Sequence, residues 1–364
     1  MTHEFKITRA SDVCAERRAQ ALAGDPGFGN FFSDHMVSIV WEKEGGWQTP
    51  EILPYGPISL DPSSAVLHYG QEVFEGMKAY RTDAGEIVMF RPEQNAARLN
   101  RSAVRLALPQ IPEDLFVQAC AELVKVDIDW VPTTPGHSLY LRPFLIAYEN
   151  FLGVRSAHRA RFMVIASPAG HYFPDGVKPV SLWLSTKLKR AGHGGTGAAK
   201  CGGNYAGSLA ATDEAYANGC QQVLFTDAAD SDRIDELGGM NFFLVTSDNR
   251  LITPEKNGNI LEGVTRDSLI TLARDRGMNV EERRVTVSEW QEGVKSGEII
   301  EAFACGTAAV IVPVGRLLGP DGFLIEMPEV SESDSVTMQL RTELMGIQFG
   351  QRPDPHGWLY PVTS

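Results

Sequence analysis

A glycine-rich stretch in the middle of the chain constrains its fold and its chemistry most. The sequence AGHGGTGAAKCGGNYAG, residues 191–207, contains seven glycines and one formal charge, Lys200. Glycine lets a backbone adopt positive φ angles or approach another group closely, at a cost in conformational entropy. A strand-like segment, VSLWLST, precedes the stretch and a helical pattern follows it. The stretch therefore predicts a loop between a strand and a helix, in which a flat ligand can pack against bare backbone.

Lys200 is the only formal charge between Arg190 and Asp213. At neutral pH roughly one in two thousand ordinary lysines is deprotonated, whereas burial lowers the pKa of the amine and makes it nucleophilic toward a carbonyl. We expect Lys200 to hold an aldehyde cofactor as a Schiff base. The loop alone leaves a second interpretation open, in which Lys200 is solvated on a flexible surface loop.

The same stretch matches two nucleotide-binding motifs in part. Residues 192–197 fit GxGxxG after a strand, and Asp227 ends the next strand, which is a weak indication of dinucleotide binding. The glycines at 202 and 203 weaken it, because they are expected to interrupt the helix that should begin at once. A phosphate loop requires Gly before the lysine and Ser or Thr after it, and this chain has Ala199 and Cys201.

Composition indicates a globular enzyme of two domains. The 364 residues are 43% hydrophobic and 22% charged, with a net charge of −13. The acidic balance, without a dense Lys/Arg block, argues against nucleic acid or an anionic membrane as partner. No apolar run is long enough for a membrane span, and the first residues do not resemble a signal peptide. The five cysteines form no CxxC pair, so we expect free thiols, no metal site and a cytoplasmic location.

Strand and helix patterns alternate along the chain. Apolar runs predict strands at HMVSIVWEK, HSLYLRPFLIAY and RARFMVIASPAG, and helical spacing marks NAARLNRSAVRLAL and DLFVQACAELVKVDIDWV. In the second half we expect a strand at QQVLFTD, a hairpin at MNFFLVTSDNRLITP, a helix at VTRDSLITLARDRG and a strand-turn at EIIEAFACGTAAVIVPV. Pro and Gly in PDGVKPVSLWLSTK predict a smaller N-terminal domain (1–174), a connection (175–187) and a larger C-terminal domain (188–364) that carries Lys200.

Candidates exist for the other groups of a pyridoxal phosphate site, which needs a partner for the ring nitrogen and a phosphate cup. Glu236 precedes two glycines and an apolar strand, although taken alone it fits a turn carboxylate better than a buried one. Residues 263–265 open a helix whose free N–H groups suit an anion. Thr307 lies in a second glycine-containing turn. Arg98 lies on the NAARLNRSAVRLAL helix, where an arginine faces solvent by default.

Seven segments in this order resemble the branched-chain amino-acid aminotransferases, members of the class IV pyridoxal-phosphate fold. They are LHYGQEVFEGMKAY, FRPEQNAARLNRSAVRL, LYLRPFLI, GTGAAKCGGNYAGSL, DELGGMNFF, ITPEKNGNILEGVTRDSL and FACGTAAVIVPV. The resemblance runs from about residue 30 to HGWLYPV near the end. It implies an α+β fold of two domains, like that of D-amino-acid aminotransferase, with mixed sheets and flanking helices in each domain.

The resemblance also implies roles for individual residues. Lys200 is the Schiff-base lysine, Glu236 binds the pyridine nitrogen and Tyr205 hydrogen-bonds the phenolic oxygen. The phosphate is bound by Arg98, Val264, Thr265 and Thr307, with Arg190 nearby. The substrate pocket is lined by Tyr69, Phe74, Tyr140, Arg142 and Tyr172, and the Thr307–Ala308 turn presents amides to the substrate carboxylate. Val154 lies in a loop that reaches the neighbouring subunit's active site, which implies a homodimer.

The implied activity is ping-pong transfer of the amino group of leucine, isoleucine or valine to 2-oxoglutarate, with pyridoxal 5'-phosphate as cofactor. D-Amino-acid aminotransferase and aminodeoxychorismate lyase share the fold and stay open as alternatives, as do an NAD-dependent dehydrogenase and, more distantly, a binding protein. Two positions depart from the family. Ala309 and Val312 stand where some members carry a CxxC redox pair, so thiol regulation is not expected. Gly239 stands where some members have Thr or Ser beside the lysine.

Overall fold

Two mixed β-sheets organise the residues that the computed structural model describes, which are 3–11, 15–170 and 176–362. Each sheet lies in its own structural unit. The first unit contains residues 1–174, 199–202 and 346–364, and the second contains residues 175–198 and 203–345. The division near residue 174 is where the sequence predicts it.

The two units differ from the predicted domains in where Lys200 lies. Ala199–Gly202 belongs to the first unit, as does the end of the chain, so the first unit is the larger of the two. Two local interactions explain this. The lysine segment, Ala199–Gly202, makes backbone hydrogen bonds to the first unit. A strand near the end of the chain pairs with the first sheet.

The first unit is built from ten strands and the helices that pack on them. Its helices are α1 (Ala15–Leu22), α2 (Ala65–Tyr69), α3 (Pro92–Arg105) and α4 (Glu113–Val126). Its strands are β1 (Lys6–Ile7), β2 (His35–Glu42), β3 (Gly46–Trp47), β4 (Glu51–Pro54), β5 (Glu72–Phe74), β6 (Met77–Arg81), β7 (Ile87–Phe90), β8 (Ser138–Ala147), β9 (Arg159–Ala169) and β19 (Leu359–Pro361).

The strand order of the first sheet is β1-β4-β2-β9-β8-β6-β7-β19, with β3 beside β2 and β5 beside β8. The pair β1–β4 is parallel and the other pairs are antiparallel. Helix α4 packs on β2 and β9, because Leu115, Phe116, Ala119 and Leu123 recur at helical spacing and are fully or almost fully buried. Helix α3 contacts both α4 and β5, and β5 is the strand that hydrogen-bonds to the backbone of Lys200.

The second unit is built around a mixed nine-stranded sheet. Its helices are α5 (Gly202–Ala217), α6 (Val264–Asp275), α7 (Val287–Ser296) and most of α8 (Val336–Gln348). Its strands are β10 (Val180–Ser185), β11 (Gln222–Thr226), β12 (Ile234–Leu237), β13 (Asn241–Thr246), β14 (Arg250–Pro254), β15 (Asn279–Arg283), β16 (Ile299–Gly306), β17 (Val310–Leu318) and β18 (Leu324–Glu326).

The strand order of the second sheet is β12-β11-β10-β17-β16-β13-β14-β15, with β18 beside β17. The pairs β10–β11, β10–β17 and β14–β15 are parallel, and the other pairs are antiparallel. The predicted hairpin β13–β14 and the predicted strand-turn β16–β17 are confirmed, and β6 and β7 form a further hairpin. The short strands β12 and β19 and helix α8 were not predicted.

One local prediction about the glycine stretch is wrong. Helix α5 begins at Gly202, so the glycines at 202 and 203 do not interrupt it. Both lie in the first turn of α5, and the missing side chain of Gly202 leaves room for the Glu72 carboxylate.

Four cysteines, Cys120, Cys201, Cys220 and Cys305, are free and buried, as expected, and Cys14 lies outside the described residues. Among the helices of the described ranges, we find none that combines the length and the apolar character needed to cross a membrane.

Candidate active site

The lysine segment is held in the first unit by its own backbone. The Lys200 N–H donates to the hydroxyl of Ser102 on α3 at 2.9 Å, and the Lys200 carbonyl accepts from the Phe74 N–H on β5 at 2.9 Å. The Gly202 N–H donates to the side chain of Glu72, also on β5. Three hydrogen bonds in three residues therefore fix the backbone from which the Lys200 side chain projects.

The Lys200 amine has an unusually low affinity for protons. Its nitrogen lies 4.7 Å from the centre of the Phe74 ring. Burial, helped by the nearby Arg98 charge, lowers the pKa of the amine to about 8, although the Glu75 charge opposes the shift. At pH 7 such an amine is neutral in about one molecule in ten. The solvated surface lysine, the alternative that the loop left open, does not describe this environment.

Arg98 belongs to a buried charge network that the sequence did not reveal. Its Nε and Nη2 donate to the two carboxylate oxygens of Glu75, each at 2.7 Å, and Asn95 donates to the same carboxylate at 2.8 Å. Glu75 is 0% exposed and Arg98 is 4% exposed. Burial raises the pKa of the Glu75 carboxyl, but the charge and hydrogen bonds of Arg98 outweigh it and hold the pKa below its usual value. Arg98 is thus a fixed, buried cation, not the solvent-facing arginine that a helix position suggests by default.

Aromatic rings and an arginine line one face of the first sheet beside Lys200. The Arg142 guanidinium carbon lies 4.8 Å from the Phe74 ring centre and 5.3 Å from that of Tyr140, whose hydroxyl accepts from Arg142 at 3.0 Å. Phe28 meets the Tyr140 ring edge-on at 4.8 Å. The structure thus brings together three of the predicted pocket residues, Phe74, Tyr140 and Arg142, and adds Phe28, which was not predicted.

The other predicted pocket residues of the first unit lie at the surface. Tyr69 is 42% exposed, and its hydroxyl donates to the carbonyl of Leu152. Val154, in the same loop as Leu152, is 88% exposed. Tyr172 lies outside the described residues.

In the second unit, Glu236 is a buried strand residue and not a turn carboxylate. It lies in β12 and is 2% exposed. One carboxylate oxygen accepts from the Leu261 N–H at 2.9 Å and from Arg190 at 2.8 Å, and the other accepts from the Asn241 amide at 2.9 Å. Donors on both oxygens stabilise the charged form of a carboxylate. Asn241 and Leu261 were missed, because nothing in their local sequence distinguishes them from core residues.

Arg190 is placed against Glu236. Its Nη1 also donates to the carbonyls of Gly197, at 3.3 Å, and Asn259, at 3.2 Å. Gly197 must be glycine at this point, since a Cβ there would lie 2.1 Å from the Asn259 carbonyl oxygen. The last glycine of the GxGxxG match therefore serves close backbone packing beside Arg190. Whether Arg190 also reaches a phosphate stays a prediction.

Four further predicted residues lie in the second unit, at the start of α6 and in the turn between β16 and β17. Val264 and Thr265 begin α6 and are buried, while Thr307 and Ala308 lie half-buried between β16 and β17. A Cβ at Gly239 would lie 3.8 Å from the Tyr205 ring, an ordinary contact distance, so Gly239 adjoins that ring without being forced to be glycine.

A buried lysine with a lowered pKa and a buried carboxylate with donors on both oxygens are features of enzymes that hold a carbonyl cofactor on a lysine. The sequence pattern of the Amino-transferase class IV family matches residues 72–317, and the chain belongs to that family. The dehydrogenase and binding-protein alternatives are therefore wrong, and the expected α+β class IV fold is confirmed.

Relatives within the family are close over nearly the whole chain. The branched-chain-amino-acid aminotransferase of Mycolicibacterium smegmatis is 51% identical over 361 residues, which cover 98% of this chain and 97% of the relative. The crystal structure of the Escherichia coli branched-chain amino acid aminotransferase matches 91% of this chain and 100% of its own, with a TM-score of 0.75 and 28% identity. The Thermobaculum terrenum enzyme, solved in its PLP form, matches 92% of this chain and 99% of its own, with a TM-score of 0.73 and 26% identity.

Proposed function

We propose that this chain is a pyridoxal-phosphate-dependent branched-chain amino-acid aminotransferase. It transfers the amino group of leucine, isoleucine or valine to 2-oxoglutarate and gives branched 2-keto acids and glutamate. The Lys200 amine, held on Phe74 beside the Arg98–Glu75 pair with its pKa lowered to about 8, carries the proposal. The relatives of the same name support the substrate class.

The residues present fit the cofactor. Lys200 would hold its aldehyde, Glu236 its ring nitrogen and Tyr205 its phenolic oxygen. Its phosphate would be bound by Arg98, Val264, Thr265 and Thr307. The donor set supports this, because Arg190, Asn241 and the Leu261 N–H keep Glu236 in the charged form that a protonated ring nitrogen requires. When bound, the cofactor supplies an electron sink for the bond that breaks at the substrate's α-carbon.

The chain's own residues move the proton. The Lys200 amine takes the proton from the α-carbon of the substrate and gives it up again within the same half-reaction. A base with a pKa of about 8 is neutral often enough near neutral pH to accept that proton and acidic enough to give it back. Burial and Arg98 maintain this value, and the hydrogen bonds of the lysine segment to Ser102 and Phe74 hold the amine in place.

The substrate groups have separate partners in this proposal. Half-buried Thr307 and Ala308 offer backbone amides to the α-carboxylate. The Phe74 and Tyr140 rings provide apolar contact for a branched side chain, and Arg142, which contacts both rings, binds the distal carboxylate of glutamate. The predicted roles of Tyr69 and Tyr172 stand as part of the same proposal.

Lys200→Ala tests the catalytic assignment. We expect the purified variant to lose turnover of leucine with 2-oxoglutarate and the visible absorbance of the lysine-bound cofactor. Lys187→Ala, a change at an exposed lysine near the same stretch, is the control and should retain both. Normal activity in Lys200→Ala would refute the assignment. A panel of leucine, isoleucine, valine and D-alanine then separates the proposed activity from the D-amino-acid and lyase alternatives.

We also propose that the chain works as a homodimer in the cytoplasm. The exposed loop of Leu152 and Val154, which are 60% and 88% exposed, supports a contact with a second subunit. Sedimentation of wild type and of Val154→Asp tests this, since a charge in a buried contact should shift the protein toward monomer. A monomeric wild type would contradict the proposal. Cell fractionation tests the location.

A further inference from the structure

Glu72 lies on the substrate-facing side of the first sheet, and the mechanism above does not use it. Alternate residues of a strand point to the same side, so Glu72 and Phe74 share a face of β5. Strand β5 pairs antiparallel with β8, placing Glu72 opposite Ile146 and Phe74 opposite Phe144. Two residues further along β8 the same face carries Arg142. Glu72, Phe74 and Arg142 therefore face the same side.

The carboxylate of Glu72 is tethered where it cannot pair directly with Arg142. It accepts the Gly202 N–H, and in the described part of the chain it forms no ion pair within 4.0 Å of Arg142. Burial holds the pKa of the Glu72 carboxyl above its usual value, and the Gly202 hydrogen bond and the Arg142 charge offset this rise only in part. The two groups thus act on each other through space, without contact.

Arg142 is correspondingly a cation without a carboxylate in contact. Its guanidinium faces the rings of Phe74 and Tyr140, donates to the Tyr140 hydroxyl, and keeps a buried Nε that has no hydrogen-bond partner among the described residues. Such a group attracts a ligand carboxylate strongly, since Coulomb interactions grow as water is excluded. A fixed negative charge nearby reduces that attraction without occupying the guanidinium.

We propose that Glu72 determines how the enzyme discriminates between dicarboxylate and branched aliphatic substrates, by weakening the hold of Arg142 on a second carboxylate. This inference rests on the proposed function, in which one pocket receives 2-oxoglutarate and a branched-chain substrate in turn. With Glu72 in place the attraction of Arg142 for a second carboxylate is partly offset, so glutamate leaves and an apolar side chain enters. When the charge of Glu72 is removed, dicarboxylates bind more tightly and branched aliphatic acids do not.

Glu72→Gln tests the charge alone, because glutamine keeps the volume and an oxygen that accepts the Gly202 N–H. Titration calorimetry on the cofactor-loaded enzyme compares glutarate, a dicarboxylate without the reacting groups, with 4-methylpentanoate, a branched monocarboxylate. We expect glutarate to bind about three- to tenfold more tightly to the variant, and 4-methylpentanoate to change by less than about twofold. The KM for 2-oxoglutarate should fall in parallel, while that for 4-methyl-2-oxopentanoate stays nearly constant.

Glu44→Gln, a change at an exposed acid of the same unit, removes the same net charge and should change neither affinity. Unchanged or weaker glutarate binding in Glu72→Gln would overturn the inference, and so would equal weakening of both ligands, which marks a structural role. Glu72→Ser gives the same test if the glutamine variant does not fold. Failure of the proposed function is seen separately, as a wild type that does not transaminate leucine. Wild-type glutarate binding that Arg142→Gln leaves intact also overturns the inference, because Glu72 then has no site to act on.

Discussion

Replacing Glu75 with glutamine removes one charge of a buried ion pair while the other charge stays. The Glu75 carboxylate accepts two hydrogen bonds from Arg98, one from Asn95 and one from the Gly76 N–H. In Glu75→Gln one acceptor oxygen becomes an NH₂ group that faces donors. Breaking a fully buried pair from one side costs about 3–5 kcal/mol. We therefore expect the cofactor-free protein to lose roughly that much stability against urea.

The same change acts on Lys200. The Glu75 charge raises the pKa of the lysine amine and the Arg98 charge lowers it. With Glu75 neutral and Arg98 unchanged, the pKa of Lys200 falls below its wild-type value of about 8. The rate at which an amine-specific reagent modifies Lys200, followed by peptide mass spectrometry across pH, measures this. The inflection should lie near pH 8 in wild type and at lower pH in the variant.

Acid stability provides an independent check with a definite sign. The folded-state pKa of Glu75 lies below the usual 4.5. The contribution of Glu75 to the free energy of unfolding is therefore present above pH 4.5, and it disappears as the pH falls through the folded-state pKa. Wild type should therefore lose stability more steeply than Glu75→Gln over that acidic range. Glu93→Gln, at an exposed acid on α3, the helix that carries Arg98, is the control. If Glu75→Gln matched that control in urea midpoint and in lysine inflection, the buried network would not have the role argued here.

Two further substitutions test the second unit. Gly263→Ala places a Cβ 2.1 Å from the Asn241 side-chain oxygen, so it should displace the donor to Glu236 and weaken cofactor binding about tenfold by titration; Gly207→Ala, with open space around it, should not. Arg190→Met leaves Glu236 buried without its cation and should cost about 3–5 kcal/mol of stability in urea unfolding. Arg284→Met, which removes the cation of an exposed pair with Asp230, is the control and should cost no more than about 1 kcal/mol; equal losses would contradict the prediction.

Much of the fold could be predicted because its signals are local. Helices α3 and α4 follow from apolar residues three and four apart, and β8 and β9 from long apolar runs. Strands β12 and β19 could not be predicted, since four residues and three residues carry too little pattern. They form because neighbouring strands offer open edges.

The site shows the same division between local and distant information. Lys200 was conspicuous as a lone charge among glycines, and the family resemblance supplied Glu236 and Arg98. Glu75 and Ser102 gave no such signal, because a single polar residue in an apolar strand or helix does not reveal its partner. Ser102 is 98 residues from Lys200 in sequence. Only the tertiary structure brings such residues together.

The position of β19 has a consequence for synthesis of the protein. Leu359–Pro361 pairs with β7, more than 260 residues earlier, and the first unit also requires Ala199–Gly202. A growing chain that has just completed residue 174 therefore lacks both its lysine segment and its last edge strand. The edge of β7 stays open, and open edges invite pairing with other chains. The unit made first on the ribosome is thus the one completed last, and it depends on protection until the final strand emerges.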